Sequence, residues 1–391
     1  MIEQLLQDAR AREAAMTACP DRDVDEVLAR VAWNVLAEPG DGVAGALIGE
    51  LGPAEALRAA GDVGAGLISQ DAPSRTLQEA LARWRPRASS RAVIDALGAA
   101  AAAGARLLLP GDADWPAAVD DLGVHAPTML WVRGDAALLS VDTRIAIVGA
   151  RASSPYGDVL AAEFAGDLAA GGAVVISGGA YGIDGAAHRA ALGVGGATVA
   201  LLAGGVDRAY PQGHEALLRE IAHKGAVVSE VPCGTAPTKW RFLSRNRLIA
   251  ALGHATVVVE AGWRSGSINT AGHAAALGRP LGAVPGPVTS ATSAGCHRLL
   301  REYDARCVTT TAEIRELWGG AGAPESSAAP VHPDQTRLLD ALGTRAGVPV
   351  QELARRSGLS PSRVSALLGL LELEGAVVRS GSGWRHAPGA L

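Results

Sequence analysis

Lysine is almost missing: Lys224 and Lys239 are its two occurrences in 391 residues, so basic charge falls to arginine. Thirty-five Lys and Arg stand against 40 Asp and Glu, a formal charge of -5. That balance excludes a generally basic nucleic-acid coat and confines any polyanion surface to one locality. Cysteine is scarce as well. Cys19, Cys233, Cys296 and Cys307 show no CxxC spacing and no histidine partners at zinc-finger intervals, so neither a metal knuckle nor a disulfide framework is indicated. A reducing cytoplasm is the simple expectation. Long apolar runs are absent: residues 97–109 are rich in alanine and contain Arg106, while the N-terminus MIEQLLQDAR carries acids and no apolar core, so neither a signal peptide nor a membrane span is expected. No G-x-x-x-x-G-K-S/T occurs, which excludes a P-loop, and no G-x-G-x-x-G with a later acidic partner argues for a dinucleotide cofactor. No cofactor or metal is expected.

What is present describes a globular protein, 48% hydrophobic and 19% charged, too long for one core. Apolar residues at Val24, Val27, Leu28, Val31 and Val35 follow the helical period, and Gly52-Pro53 separates further helical runs. The spacing predicts a helical module over 1–90, loosely like a helix-hairpin-helix or SAM-type unit, with the Arg-rich residues 72–92 as a solvated linker. Residues 103–139 are extended and punctuated by proline, a preamble that lays an edge on the sheet to come. Apolar runs at 144–148, 173–176, 198–202, 226–229, 256–260 and 280–284 then alternate with helical patterns near 156–170, 184–193, 213–223, 244–252 and 268–278. That alternation predicts an α/β domain over 105–317, a doubly wound parallel sheet covered on both faces. A Gly/Ala/Ser/Pro-rich linker at 318–332 leads to residues 333–391, where helices near 335–342 and 350–356, a third opened by Ser360-Pro361 and a hairpin at 375–384 predict a winged helix.

The stretch from Val174 to His188 holds a buried strand, a Gly loop and a helix start. Free amides at such a junction favour an anion, typically phosphate, which nominates Ser177, Gly178 and Gly179. Asp184 is placed to cap the helix. Asp184 and His188, four apart, imitate a metal or acid/base pair without a third ligand. Lys239-Trp240-Arg241-Phe242-Leu243-Ser244-Arg245-Asn246-Arg247 carries cations, no acid and two aromatic rings in a chain only 4% aromatic. Such interleaving suits single-stranded nucleic acid, where cations follow phosphates and a ring stacks a base. The plain alternative is a solvated helix start with Trp240 in the core. Gly266 and Ser267 sit in a second strand, Gly/Ser loop, helix pattern, with Ser267 or Asn269 as its cap.

As a set, Ile145-Ala-Ile-Val-Gly149-Ala-Arg151 with Ser154-Pro-Tyr-Gly157, the loop from Ser177 to His188, Gly205-Val-Asp-x-x-Tyr-Pro211, Arg245-Asn-Arg247, Gly266-Ser-x-x-Thr-Ala271 and Val284-Pro-Gly-Pro287 resembles the DprA/Smf family of DNA-processing proteins. The resemblance implies an extended Rossmann domain that binds single-stranded DNA, protects incoming strands in natural transformation, loads the RecA recombinase and works as a homodimer, with no catalytic reaction. It implies that Arg151 holds a phosphate beside Gly149, the 177–179 amides and the Gly266-Ser267 loop. Phe242 would stack a base, Lys239 would add charge, and Arg245, Asn246 and Arg247 would close the groove. Departures are Tyr181, where members often carry Lys or Arg; Leu243 for a proline; His297 for an asparagine; and Tyr303-Asp304-Ala305 for a Gly-Ala.

Two other functions compete. A nucleoside-monophosphate phosphoribohydrolase would have a similar sheet, but its P-G-G-x-G-T loop is replaced here by Glu260-Ala-Gly-Trp-Arg-Ser-Gly-Ser. A winged-helix reader of duplex DNA would use the third C-terminal helix, which offers Ser362, Arg363 and Ser365 beside Glu372, a thin complement for major-groove readout.

Overall fold

The structure, a computed structural model, describes residues 2–65, 75–319, 333–343 and 346–387. Asp8, Asp23 and Asp41 each turn a carboxylate onto free amides of the helix that follows, satisfying donors no intrahelical carbonyl reaches. They open α1 (Ala9–Ala18), α2 (Val24–Leu36) and α3 (Gly42–Leu51). Then come α4 (Pro53–Ala65), α5 (Arg75–Trp84) and α6 (Ser90–Ala103). The stretch expected as a solvated linker is partly core: Ala80, Leu81 and Trp84 are buried, and Trp84 meets Trp33 edge-on at 5.0 Å. Residues 72–74 of that stretch lie outside the described residues. The helical segment expected as a module at 1–90 runs to Ala103 and belongs with the sheet to one compact unit, Met1–Gly320. Asn34 shows why: it donates to Glu230 O at 2.6 Å and accepts from Trp131 Nε1 at 2.8 Å.

The sheet has nine strands. β1 (Arg106–Leu108) and β2 (Leu130–Gly134) form its antiparallel edge, as the proline-punctuated preamble suggested. Next in the chain are β3 (Arg144–Val148), α7 (Pro155–Ala170), β4 (Val174–Ser177), α8 (Ile183–Gly193), β5 (Thr198–Leu202), α9 (Glu215–Lys224) and β6 (Ala226–Ser229). The chain continues through α10 (Lys239–Leu252), β7 (Ala255–Val258), α11 (Gly266–Ala276), β8 (Leu281–Ala283), α12 (Ala294–Glu302), β9 (Arg306–Cys307) and α13 (Thr311–Glu316). Strand order is β1-β2-β6-β5-β4-β3-β7-β8-β9, parallel from β6 to β9. Alternation along β3 serves both layers: Ile145 and Ile147 join the core under α7 and α8, Ala146 and Val148 the one under α10, α11 and α12. β9 escaped the sequence reading because its two residues are exposed and carry no apolar pattern.

Beyond Gly319 the expected linker lies outside the described residues. The second unit, with its own core of Leu338, Leu353, Val364, Leu367, Leu371 and Val377, contains α14 (Pro333–Ala341), α15 (Val350–Ser357) and α16 (Pro361–Leu373). The hairpin of β10 (Val377–Ser380) and β11 (Gly383–His386) completes the winged helix. Ser360 caps α16 with Pro361 in its first turn, as the sequence proposed. Among the described residues no helix is long and apolar enough to cross a membrane.

Candidate nucleic-acid interface

From β3 the chain winds outward through β4, β5 and β6, then returns to the other side of β3 with β7. The carboxyl ends of β3 and β7 are therefore where successive connections part, the place at which open α/β sheets bind ligands. A recess of about 550 Å³ opens there, and of the residues expected at the site Gly149, Arg151, Phe242, Arg245, Asn246, Gly266 and Ser267 line it. Arg264 lines it too. The sequence reading passed over Arg264, although a cation inside a Gly/Ser loop was the available signal.

Arg151 is exposed, and its guanidinium lies 4.5 Å from the centre of the Phe242 ring. The same ring meets Tyr210 at 5.5 Å and Arg245 at 5.9 Å. Among the described residues neither Arg151, Lys239 nor Arg264 has a carboxylate partner, whereas most arginines of the helical segment are ion-paired. Unpartnered cations beside a half-buried ring are what a polynucleotide backbone requires.

Arg245 works from below. It is buried, with Nη1 donating to Gly178 O at 2.7 Å and to Leu201 O, and burial pulls its pKa down to about 10. A Cβ on Gly178 would lie 2.5 Å from that guanidinium, so glycine is required by close approach rather than by its φ. Asp184 supplies the compensating charge. Burial raises its pKa, while Arg245 and the amides of Gly178 and Ala180, at 3.1 and 3.3 Å, favour its ionised form.

The Gly loop thus differs from the phosphate cradle the sequence proposed. Its Gly178 and Ala180 amides are taken by Asp184, Gly179 O pairs with His214 Nδ1 at 3.1 Å, and the buried Ser177 hydroxyl donates to Ile147 O at 2.6 Å. Ser177, Gly178 and Gly179 shape the floor and do not line the recess. Asp184 is not the cap: Gly182 holds that place with φ +73°, and Asp184 sits in the first turn reaching back. Nor is it half of a metal pair. His188 Nδ1 meets Thr198 Oγ1 at 2.7 Å, and burial lowers its pKa to about 3. Among the described residues no cluster of three or more His, Cys, Asp or Glu is placed to hold a metal.

α10 begins at Lys239, capped by Thr238, five residues before the expected start. Lys239 and Trp240 therefore stand at its open end, Trp240 72% exposed, so the alternative of a core Trp240 is overturned. Asn246 ties α10 to α11 through Gly266 O and Asn269 Oδ1, both at 3.2 Å. Arg247 does not close the groove. Its guanidinium is bidentate to Glu230, both contacts at 2.7 Å, and Nε donates to His125 O. On α11 the cap is Ser265, not Ser267 or Asn269.

Three departures from the family pattern have visible geometry. Tyr181 leans edge-on against His214 at 4.8 Å and accepts from Gly213 N at 3.2 Å. His297 Nε2 pairs with Gly286 O at 2.9 Å. In the Tyr303-Asp304-Ala305 stretch, Asp304 adopts φ +52°, a left-handed conformation that aspartate tolerates better than most residues.

An open doubly wound sheet with a cation- and ring-lined recess at its reversal point, followed by a winged helix, defines a Rossmann-type nucleic-acid-binding class. Residues 106–319 match the family described as DNA recombination-mediator protein A, and residues 322–383 match the DprA winged helix domain. The chain belongs to the DprA/Smf family. It is 45% identical over 314 residues to the putative DNA processing protein DprA of Mycobacterium tuberculosis, covering 73% of this chain and 80% of that one. Identity to protein Smf of Escherichia coli is 37% over 271 residues, 66% and 71% of the two chains. The X-ray structure of DprA from Streptococcus pneumoniae superposes with TM-score 0.60 at 28% identity, covering 75% of this chain and 97% of that one. DNA processing protein A from Helicobacter pylori, whose structure is described for its single-stranded DNA binding mode, gives TM-score 0.50 at 32% identity over 54% and 94%.

Proposed function

We propose that this chain is a sequence-tolerant binder of single-stranded DNA that shields strands in recombination during natural transformation, delivers them to RecA, and acts in the cytoplasm as a homodimer without catalysing a reaction. The observation that carries it is Arg151, exposed, without a carboxylate partner among the described residues and 4.5 Å from the Phe242 ring in the recess at the reversal point. Phosphates meet Arg151, Arg264 and Lys239, the Gly149 and Gly266-Ser267 turns let the backbone approach, and Phe242 takes a base. Arg245 and Asn246 support this surface from beneath, and Tyr181 flanks it. The single-stranded DNA named for the Helicobacter pylori relative supports the ligand class. RecA delivery and dimerisation rest on family membership.

Mobility shifts of oligo-dT and of a duplex of equal length, across salt, test the reading. The full chain is expected to prefer the single strand. Arg151→Ala should weaken that binding and flatten the slope of log K against log salt by about 0.7, one phosphate contact on a single strand. Unchanged affinity and slope would remove Arg151 and the recess from the interface.

A further inference from the structure

Three carboxylates are buried among the described residues: Asp184, Glu230 and Glu260, the last only 2% exposed. Asp184 faces the buried Arg245, and Glu230 grips Arg247. Glu260, two residues beyond β7, is held among the described residues by uncharged groups alone. Its Oε2 accepts from Ser154 N at 2.8 Å, and its Oε1 accepts from Ser154 Oγ at 2.6 Å and from Thr292 Oγ1 at 3.0 Å. Ser154 also caps α7, its Oγ accepting from Gly157 N at 3.2 Å. A Cβ on residue 157 would collide with Glu260 Oε2, so the glycine of Ser154-Pro-Tyr-Gly157 makes room for this carboxylate.

The bonds of Glu260 tie together three loops that line the recess: 149–154 with Arg151, 260–266 with Arg264, and the loop that ends at Thr292. Arg151 depends on such ties. Its guanidinium rests on the Phe242 ring and makes no hydrogen bond among the described residues, so its place is set by its backbone. That backbone is fastened near its start by Ile183 N donating to Ala150 O at 3.2 Å, and at its end by Glu260.

We infer that Glu260 is a positioning residue for the single-strand site: its carboxylate fixes the far end of the 149–154 loop, and through it Arg151, before a strand arrives. The inference rests on the single-strand reading above and adds how that site is preorganised. Stability does not account for this carboxylate, because burying one without a cation is costly; an amide, two hydroxyls and the N-terminus of α7 offset that cost. Attraction of DNA does not account for it either, since a negative charge beside the recess opposes phosphates. What the carboxylate supplies is two acceptor atoms that hold Ser154 and Thr292 at once.

Glutamine separates bonds from charge. With its NH2 in the place of Oε1 and its oxygen in the place of Oε2, Glu260→Gln can still accept from Ser154 N, while the Ser154 and Thr292 hydroxyls turn from donors to acceptors. Mobility shifts of oligo-dT across salt, with thermal melts to select folded protein, test the assignment. Glu260→Ala should bind at least about tenfold more weakly, the loss of one hydrogen bond to a charged group, with the salt slope flattened by about 0.7 as for Arg151→Ala. Glu260→Gln should bind as tightly as wild type or more so. Added to Arg151→Ala, Glu260→Ala should cost nothing further, because its effect passes through Arg151. Should Glu260→Ala fail to fold, Glu260→Asp, whose carboxylate falls one methylene short of Ser154, carries the same expectations. Folded Glu260→Ala or Glu260→Asp that binds like wild type while Arg151→Ala binds weakly overturns the positioning role and leaves the recess standing. A Glu260→Gln as weak as Glu260→Ala, or losses that add to those of Arg151→Ala, overturn it as well. If Arg151→Ala itself binds like wild type, the single-strand site falls and the role of Glu260 with it.

Discussion

At the scale of single residues, the recess owes its shape to buried charged side chains in its wall. Asp184 occupies the amides that a phosphate would otherwise claim, and Arg245 sits beneath them as a buried positive charge. Removing the carboxylate would free two amides and leave that cation uncompensated, so the Gly loop is better described as a braced floor than as an anion cradle. His188 has a different consequence. Its ring is buried beside Thr198, with Arg189, Arg245 and His214 near enough to oppose a further positive charge, and its Nε2 has no partner among the described residues. The folded protein holds this imidazole neutral down to about pH 3, whereas the unfolded chain protonates it near its ordinary 6.5. Between those values the unfolded state binds the extra proton, so stability falls as pH drops below about 6.5. Thermal melts from pH 7.5 to 5 should show a falling midpoint, with a shallower decline in His188→Gln; equal slopes in the two proteins would assign the acid sensitivity elsewhere.

At the scale of elements, α10 joins the recess to the rest of the molecule. Its first turn exposes Lys239 and Trp240, its middle puts Arg245 under the Gly loop, and its far side binds Glu230 through Arg247. The Arg247 and Glu230 side chains are 5% and 9% exposed, so Arg247→Met would strand a buried carboxylate and is expected to cost about 3–5 kcal/mol. Replacing both residues, as Arg247→Met with Glu230→Met, should recover much of that loss. Urea unfolding midpoints check both, and a single variant as stable as wild type would show the pair to be dispensable. This pair also marks the limit of what the sequence reveals. The parallel strands were legible because burial on both faces makes them apolar throughout, and the reversal-point loops because glycine and serine cluster at strand ends. The start of α10 was hidden by four cations and two rings that break any apolar stripe, though Thr238 was a usable cap signal. Arg245 and Arg247 look alike in sequence, yet their partners, Gly178 and Glu230, are set by packing across 67 and 17 residues. Nothing local distinguishes a buried arginine that lines the recess from one committed to a buried carboxylate. The same holds for Arg241, whose partner Glu38 lies 203 residues away.

At the scale of the whole molecule, the chain forms two units with separate cores. The first, Met1–Gly320, contains every residue of the recess and rim, and its helical segment is fastened to the sheet through Asn34, Arg30 and Glu38 rather than hinged on it. The second carries little free charge. Among its described arginines, Arg337 and Arg363 pair with Asp334, Arg355 and Arg356 share Glu352, and Arg379 faces Glu372, which leaves Arg385 without a carboxylate partner among the described residues. On α16 the surface instead shows Leu370 and Leu373, one helical step apart and exposed. A duplex reader needs cations for phosphates and polar groups for base edges, and this face supplies few of either. A chain ending at Gly319 is therefore expected to bind oligo-dT with the affinity and salt slope of the full chain, within about twofold. The duplex affinity of the full chain should not exceed the nonspecific range of roughly 10⁻⁴ to 10⁻⁶ M at physiological salt. Mobility shifts on both substrates check this. Loss of single-strand binding on truncation would move part of the site into the winged helix, and tight sequence-dependent duplex binding would restore α16 as a reader.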